Sequence, residues 1–220
     1  MLQAAAERGR RYLQDEPARL AELERLGRQR SLIYKTMVLT GLRKGELASL
    51  TVGQVELDAP RPYAELLAKD EKAGRGAMIP LRDDLVAEMR EYLADELAVL
   101  QARARKAGEA VPMRLPVGRS LFYVPGDFVK IFNRDLAAAS IPKKDDRDRV
   151  VDLHARRHTF GTHLSKAGVA PRTAQATMRH SSLELTMNVY TDPRLLDVGA
   201  AVDALPSFDS RRAGVATASR

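Results

Sequence analysis

The chain has 220 residues, of which 45% are apolar and 30% charged, and it contains no cysteine. This composition is typical of a soluble globular protein, and it excludes disulfides and thiolate metal sites. No apolar run approaches the roughly 20 residues that a membrane helix needs, and the first residues carry charge where a signal peptide would be apolar. We therefore expect a cytoplasmic protein that does not contact a membrane.

The net charge is +7 and the pI is about 9.8. A basic excess favours a polyanionic partner, because Lys and Arg displace counterions from phosphates. Many basic proteins bind no nucleic acid, so the charge alone indicates such a partner only weakly.

The first third of the chain is predicted to be helical. Residues 3–28 are rich in Ala, Leu, Glu and Arg, which predicts a helix interrupted near Pro17. Segment 29–39 has apolar residues at helical spacing and predicts a helix with one buried face. Gly41 ends it, and a new helix is predicted from Arg43 to Leu50.

Short strands and further helices follow. The pattern predicts three strands at 51–57, 63–68 and 77–81, then helices at 83–107 and 127–139, a charged connector at 141–149, and short helices near 154–167, 171–179 and 183–190. The predicted fold is α+β: one mostly helical domain with a small three-stranded antiparallel sheet. Its predicted limits are 29–206, with a helical extension at 1–28 and a disordered tail at 207–220.

Arg43 is the first candidate for chemistry, because a planar guanidinium matches two phosphate oxygens and stays charged near neutral pH. Glu46 lies three residues later on the same helix face, so we expect an ion pair that holds Arg43 in place. An ordinary surface pair is the alternative that this fragment alone leaves open.

His154, Arg157 and His158 have the spacing of one helix face. A zinc site of the His-Glu-x-x-His type is disfavoured, because Ala155 replaces the general base and two arginines repel a cation. Binding of a phosphate fits better, with Arg157 as a second clamp, although a solvated basic turn is the alternative. His163 lies off this face, and we expect a structural role for it.

His180 and Tyr190 stand ten residues apart near the end of the chain. A histidine at a helix end can donate to a phosphate oxygen, and a tyrosine can act as a nucleophile. A helix cap and a core aromatic are the alternatives for each residue taken alone. The ordered combination of two arginines, two histidines and a late tyrosine favours attack on a phosphodiester.

Three segments carry a family resemblance: 40–47 (Thr-Gly-Leu-Arg-Lys-Gly-Glu-Leu), 154–162 (His-Ala-Arg-Arg-His-Thr-Phe-Gly-Thr) and 178–182 (Met-Arg-His-Ser-Ser) with Tyr190. Together they resemble the signature boxes of the tyrosine recombinases, the phage integrase family, over about residues 29–206. The resemblance implies a site-specific recombinase or integrase of a mobile genetic element. Its alternatives are a type IB topoisomerase-like enzyme and a catalytically silent DNA-binding relative.

The resemblance also implies roles for individual residues. Tyr190 would form a 3′-phosphotyrosyl link, while two arginines, two histidines and a lysine assist; these are Arg43, Arg157, His154, His180 and Lys72. Glu46 and His158 would support the site. Lys72 lies eight residues before Pro80, as the family lysine does, and Lys69 is the alternative.

The implied partner is double-stranded DNA, bound with help from Lys69, Arg75, Arg156 and Arg179, and no cofactor or metal is expected. Arg156 departs from the family pattern, and we expect it to face a neighbouring phosphate. Only about 28 residues precede the matching region, too few for the usual DNA-gripping domain. We therefore expect an excised catalytic domain, and a naturally incomplete member of the family is the alternative. In either case we expect low, steeply salt-dependent affinity for DNA.

The last apolar stretch has helical spacing and predicts a small docking helix; its members are Leu195, Leu196, Val198, Val202 and Leu205. By resemblance, this segment would pack on a neighbouring protomer and link active sites in a tetramer on DNA, whereas the isolated chain would be a monomer. Packing on its own domain is the alternative.

Overall fold

The computed structural model describes residues 16–146, 148–190 and 198–205. These residues form helices and one small sheet, joined by loops. In chain order they are α1 (Pro17–Thr40), α2 (Lys44–Ser49), β1 (Val55–Glu56), β2 (Tyr63–Leu66), β3 (Ala77–Pro80), α3 (Asp83–Ala107), α4 (Phe128–Ala138), α5 (Ala155–Lys166), α6 (Pro171–Met178), α7 (Leu183–Tyr190) and α8 (Val198–Asp203). The predicted α+β class is confirmed. None of the described helices combines the length and apolar character needed to cross a bilayer.

Helix α1 is one continuous helix rather than the two predicted segments. It begins at Pro17, whose fixed φ suits the first helical position. It continues through Gly27, because burial of the apolar face beyond it outweighs the roughly 1 kcal/mol that a helical glycine costs. Helix α1 therefore crosses the domain limit predicted at residue 28, and that limit stays a prediction. The predicted helical residues 3–15 and the tail at 207–220 lie outside the described residues.

The sheet is antiparallel in the order β1-β2-β3, with Ala64 opposite Val55 and Leu66 opposite Ala77. Its first strand is shorter than predicted, because residues 52–54 form a 3-10 turn. The N–H of Gly53 instead donates to the carbonyl of Val117 at 2.8 Å. A side chain at Gly53 would approach Val117 to 3.0 Å, so this close pairing of two loops removes the segment from the sheet.

The main core lies between the sheet and helices α1, α3 and α4; among its fully buried members are Ile33, Met37, Leu66, Leu85, Met89, Phe122, Phe128 and Phe132. A buried carboxylate beside this core joins two helices and a loop. Glu96 of α3 pairs with Arg25 of α1 and, at 2.5 Å, with Arg119 of the loop before α4. These pairs tie α1 and the loop before α4 to the middle of α3.

Helix α5 packs across α1 and also contacts α6 and α7. A second apolar cluster, formed by Phe160, Met178 and the partly buried Leu164, holds α5 against the end of α6. This arrangement brings the late part of the chain against the turn between α1 and α2. Residues more than a hundred positions apart therefore meet there.

Candidate active site

Arg43 lies just before α2 and is fixed by Glu46, as the sequence predicted. The Glu46 carboxylate accepts the Arg43 N–H at 3.0 Å and one guanidinium nitrogen at 2.5 Å. Burial of Glu46 opposes its charge, but these bonds and the neighbouring charge of Arg179 outweigh it, so the pKa of Glu46 is lowered. Glu46 is 3% exposed, which excludes the alternative of an ordinary surface pair.

Arg157 is buried on α5 and reaches across to the same turn. Its guanidinium donates to the carbonyl of Gly41 at 2.5 Å and also to the carbonyl of Met178 at the end of α6. Gly41 is only two residues from Arg43. Arg43 and Arg157 therefore lie at the same backbone turn, as expected.

The turn at Gly41 depends on the absence of a side chain. Its φ is +64°, in the left-handed region that glycine adopts without strain. A Cβ there would lie 2.5 Å from the ring of Phe160 on α5. The close approach of α5 to this turn is what lets Arg157 reach the Gly41 carbonyl.

Arg179 is a third arginine at this place. Its side chain is 8% exposed and pairs with Glu46 at 3.1 Å, while weaker bonds of 3.4 Å reach the carbonyls of Thr40 and Gly41. The predicted contact of Arg179 with DNA stays a prediction; in the structure its guanidinium is buried and held by a carboxylate.

His180 follows Arg179 and is neutral at pH 7. The pKa of His180 is lowered to about 4, and the largest cause is burial, which penalises the charged imidazolium. The positive charges of Arg157, Arg43 and Arg179 are the next causes, so these three groups lie close enough to act on one ring. The Nδ1 atom of His180 is hydrogen-bonded to the hydroxyl of Thr186 at 3.0 Å.

His154 is exposed and occupies the N-cap position of α5, one residue before the helix begins. Its ring meets that of His158 edge-on, with centroids 5.2 Å apart. The charge of His154 also contributes to the lowered pKa of His180, which places it on the same side of the site. His163 is exposed near the end of α5.

The candidate lysines lie in the loop between β2 and β3. Lys69 is in a 3-10 turn that packs beside α2, and Lys72 follows it; both are exposed. Glu71 between them is buried, and its carboxylate accepts the backbone N–H of Arg75 at 2.9 Å. Because the charge of Glu71 acts on Arg179, this loop adjoins the arginines.

Tyr190 is the last residue of α7, the helix that also carries Thr186. The hydrogen bond between Thr186 and His180 therefore connects that helix to the arginines. The side chain of Tyr190 lies outside the described residues, as do Leu195 and Leu196 of the predicted docking segment. Within that segment, Val202 and Leu205 are exposed.

Arg156 packs on aromatic side chains of the core, and its predicted contact with a phosphate stays a prediction. Its guanidinium carbon lies 3.9 Å from the ring centre of Phe132 and 4.3 Å from that of Tyr34, so it covers the aromatic edge of the core. Burial lowers the pKa of Arg156, which remains charged at neutral pH. Adjacent helical positions differ by about 100°, so only one of Arg156 and Arg157 can face the site.

Two residues at the site were missed in the sequence. Thr186 lies in an apolar helix turn where a threonine gives no signal, and only the fold brings it to His180. Glu71 is one of several charged residues in its turn, and only its burial distinguishes it from the others. A pattern search for paired charges would not have found either, because the burial of Glu71 and the packing that brings Thr186 to His180 are tertiary.

The arrangement suits an anion. Three arginines, Arg43, Arg157 and Arg179, carry three positive charges against the two carboxylates Glu46 and Glu71, which leaves an excess of one positive charge before the nearby lysines are counted. In a partly buried place such an excess binds and stabilises negative charge more strongly than it would in water. Within the described part of the chain, no three His, Asp or Glu side chains are grouped to hold a metal.

Comparisons with known proteins agree on one family. The phage integrase family model matches residues 18–195. A resolvase of Escherichia coli strain K12 is 28% identical over 188 residues, which cover 78% of this chain and 67% of the relative. The XerD tyrosine recombinase of Caulobacter vibrioides is 30% identical over 165 residues, which cover 75% of this chain and 50% of the relative.

Solved structures share the fold. The crystal structure of XerA recombinase superposes with a TM-score of 0.54 at 19% identity, covering 82% of this chain and 60% of that one. The XerH recombinase bound to its difH substrate gives 0.54 at 17% identity, covering 83% and 48%. The chain thus spans between half and about two thirds of the length of these relatives.

The matches define a chain of the tyrosine recombinase class. The chain belongs to the phage integrase family.

Proposed function

We propose that this chain cuts and rejoins duplex DNA at a specific site through a covalent link between Tyr190 and a DNA 3′-phosphate. The observation that carries the proposal is the meeting of Arg43 and Arg157 at the turn after α1, although they lie 114 positions apart in the sequence. Isolated surface arginines would not be expected to share one turn. The DNA-bound XerH relative is consistent with double-stranded DNA as the partner.

In the proposed reaction, the phenol oxygen of Tyr190 attacks the scissile phosphorus and the bond to the 5′-oxygen breaks. Arg43 and Arg157 stabilise the charge that develops on the non-bridging oxygens. The phenol proton passes to a neighbouring histidine, and the leaving 5′-oxygen takes a proton from a lysine. A 5′-hydroxyl of a second strand then reverses these steps and restores a phosphodiester.

The electrostatics of the site support this division of roles. His180 is neutral at pH 7 because its pKa is about 4, so its ring takes part through hydrogen bonds and adds no fixed charge. Tyrosine has an unperturbed pKa of about 10, and in the proposed reaction the excess of positive charge at the site would favour its ionised form. His154 is exposed at the start of α5, where it can reach a DNA phosphate; His158, against its ring, would support it.

Replacing the nucleophile tests the proposal directly. The 220-residue chain is incubated with nicked duplexes that tile the DNA on either side of its gene, and covalent adducts are counted after denaturation in detergent. We expect an adduct at one sequence, and we expect Tyr190→Phe to remove it, because the nick lets the cleaved strand diffuse away and traps the link. Tyr34→Phe is the matched control, since its hydroxyl is bound to Asp135 in the core.

The other outcomes separate the alternatives. An adduct that is retained in Tyr190→Phe contradicts the assignment of the nucleophile. No adduct on any duplex, together with binding of DNA, would favour the catalytically silent relative. Adducts without sequence preference, accompanied by relaxation of a supercoiled plasmid, would favour a topoisomerase-like enzyme.

The proton donor to the leaving oxygen is proposed to be Lys72, with Lys69 as the alternative. We expect Lys72→Ala to slow cleavage by roughly 10²–10⁴-fold, the usual contribution of a general acid. A substrate with sulfur at the bridging 5′ position should restore the rate, because a thiolate leaves without prior protonation. The rates of both variants are measured in single-turnover cleavage, and Lys69→Ala is the matched control. Rescue of Lys69→Ala instead would move the role to that residue.

We further propose that the enzyme acts in the cytoplasm and assembles as a tetramer on DNA, while the free chain is a monomer. Exposed apolar side chains on and just after α8, Val202 at 60% and Leu205 at 64%, support a segment that a neighbouring protomer covers. Arg75 and Lys69, in the exposed loop beside the arginines, are the proposed contacts to the DNA backbone. Such contacts make binding depend steeply on salt.

A further inference from the structure

Arg179 adopts a backbone conformation that arginine rarely takes. Its φ of 54° and ψ of 43° lie in the left-handed region, at the C-cap of α6. Outside glycine this conformation costs about 1–2 kcal/mol. Its side chain is buried although burial opposes its charge and lowers the pKa of Arg179. Two unfavourable terms at one residue require a compensating set of contacts.

Those contacts join three parts of the site. One nitrogen of Arg179 binds the Glu46 oxygen that also accepts the backbone N–H of Arg43, while the other Glu46 oxygen holds the Arg43 guanidinium. Further bonds reach the carbonyls of Thr40 and Gly41. Arg179 thus fixes the carboxylate that orients Arg43.

Arg179 is also one of several charged groups that act on each other at this place. The repulsion between Arg43 and Arg179 is offset by Glu46 between them, and the charge of Arg179 adds to those that keep His180 neutral. The buried Nε of Arg179 has no hydrogen-bond partner among the residues that the structure describes. Unpaired buried donors are rare in native proteins, and they concentrate where a ligand or a functional constraint holds them.

We propose that Arg179 is a positioning residue of the recombination reaction, which locks Glu46 so that Arg43 faces the scissile phosphate. This inference rests on the proposed function. It adds Arg179 to Arg43 and Arg157, the two arginines that the proposed reaction uses. Arg179 does not touch the reacting atoms; it acts through Glu46 and through its charge.

Two substitutions separate the two effects of Arg179. Arg179→Lys keeps the charge but loses the planar fork, whereas Arg179→Gly removes both and relieves the left-handed backbone, so it is not expected to unfold the chain. We expect Arg179→Gly to slow single-turnover adduct formation by about 10- to 100-fold, less than the loss of a direct oxyanion donor. The pKa of His180, followed by the NMR signal of its ring, should rise in Arg179→Gly and stay near the wild-type value in Arg179→Lys. Arg134→Met, an exposed arginine on α4, controls for a general loss of positive charge.

A double-mutant cycle tests the route through Glu46. If Arg179 acts through that carboxylate, Arg179→Gly combined with Glu46→Gln will be little slower than the slower single variant, because both changes release the same arginine. Additive effects would overturn the route. An unchanged rate and an unchanged His180 pKa in Arg179→Gly would overturn the whole inference, provided that the wild type forms the adduct. If the wild type forms none, the proposed function fails, and the pKa measurement, which needs no DNA, still decides whether Arg179 maintains neutral His180.

Discussion

Replacing Arg157 by lysine or methionine is expected to abolish measurable cleavage and to destabilise the chain. Arg157 is 2% exposed and donates to two main-chain carbonyls, those of Gly41 and Met178. Lysine keeps the charge but cannot reach both carbonyls with a rigid fork, and methionine reaches neither. A buried carbonyl left unpaired costs about 1–3 kcal/mol, so we expect a loss of about 1–3 kcal/mol in Arg157→Lys and of about 2–5 kcal/mol in Arg157→Met.

The effect on cleavage should exceed the effect of an ordinary oxyanion donor. Loss of one such donor slows a reaction by about 10²–10³-fold, and loss of Arg157 additionally loosens the turn that carries Arg43. Single-turnover adduct formation and thermal unfolding are measured on the same preparations. Lys166→Met, an exposed change on the same helix, should alter neither. An Arg157→Lys variant that cleaves at the wild-type rate would show that the observed carbonyl contacts are not needed to place the clamp.

Gly41→Ala is expected to be among the most destabilising single-methyl changes in the chain. The new side chain would meet two penalties: a left-handed backbone at φ +64°, and a Cβ 2.5 Å from the ring of Phe160. The first costs about 1–2 kcal/mol and overpacking typically adds 1–3 kcal/mol, so we expect a loss of about 2–5 kcal/mol. For a chain of this size that corresponds to a fall in Tm of roughly 4–20 °C.

Gly108→Ala is the matched control for that substitution. Gly108 ends α3 with φ +70°, nearly the same conformation, but a Cβ there meets nothing within 4 Å. The difference between the two variants in thermal unfolding therefore isolates the contact with Phe160. Equal losses would mean that α5 does not press on this turn, and the account of how Arg157 reaches Gly41 would then be wrong. Cleavage should also fall in Gly41→Ala but not in Gly108→Ala.

Much of the fold was predictable because its signals are local. The limits of α3, Asp83–Ala107, follow from a strong apolar period, two aspartates at its start and a glycine after its end. The break at Gly41 and the turn between β2 and β3 are marked by similar local signals in the sequence. By contrast, the continuity of α1 through Gly27 and the short β1 depended on burial and on a loop pairing with Val117. Neither effect is encoded within a short window.

The candidate site divides in the same way. The pairing of Arg43 with Glu46 was predictable because both residues lie in one helical turn. The different positions of Arg156 and Arg157 were not predictable, because the rotation of α5 about its axis is set by packing of Phe160 and Met178. Arg179 was predicted to contact DNA, and its burial beside Glu46 was not predictable because it depends on how α6 packs against the turn at Gly41.

The sequence by itself determined which reactive groups are present, in what order and in which family, since these follow from residue types and spacings along the chain. Only the tertiary structure decided which of the neighbouring arginines enter the site, how Glu46 holds two of them, and why His180 is neutral. The physical reason is that burial and the summed field of distant charges arise only when α5, α6 and α7 pack against the turn at Gly41.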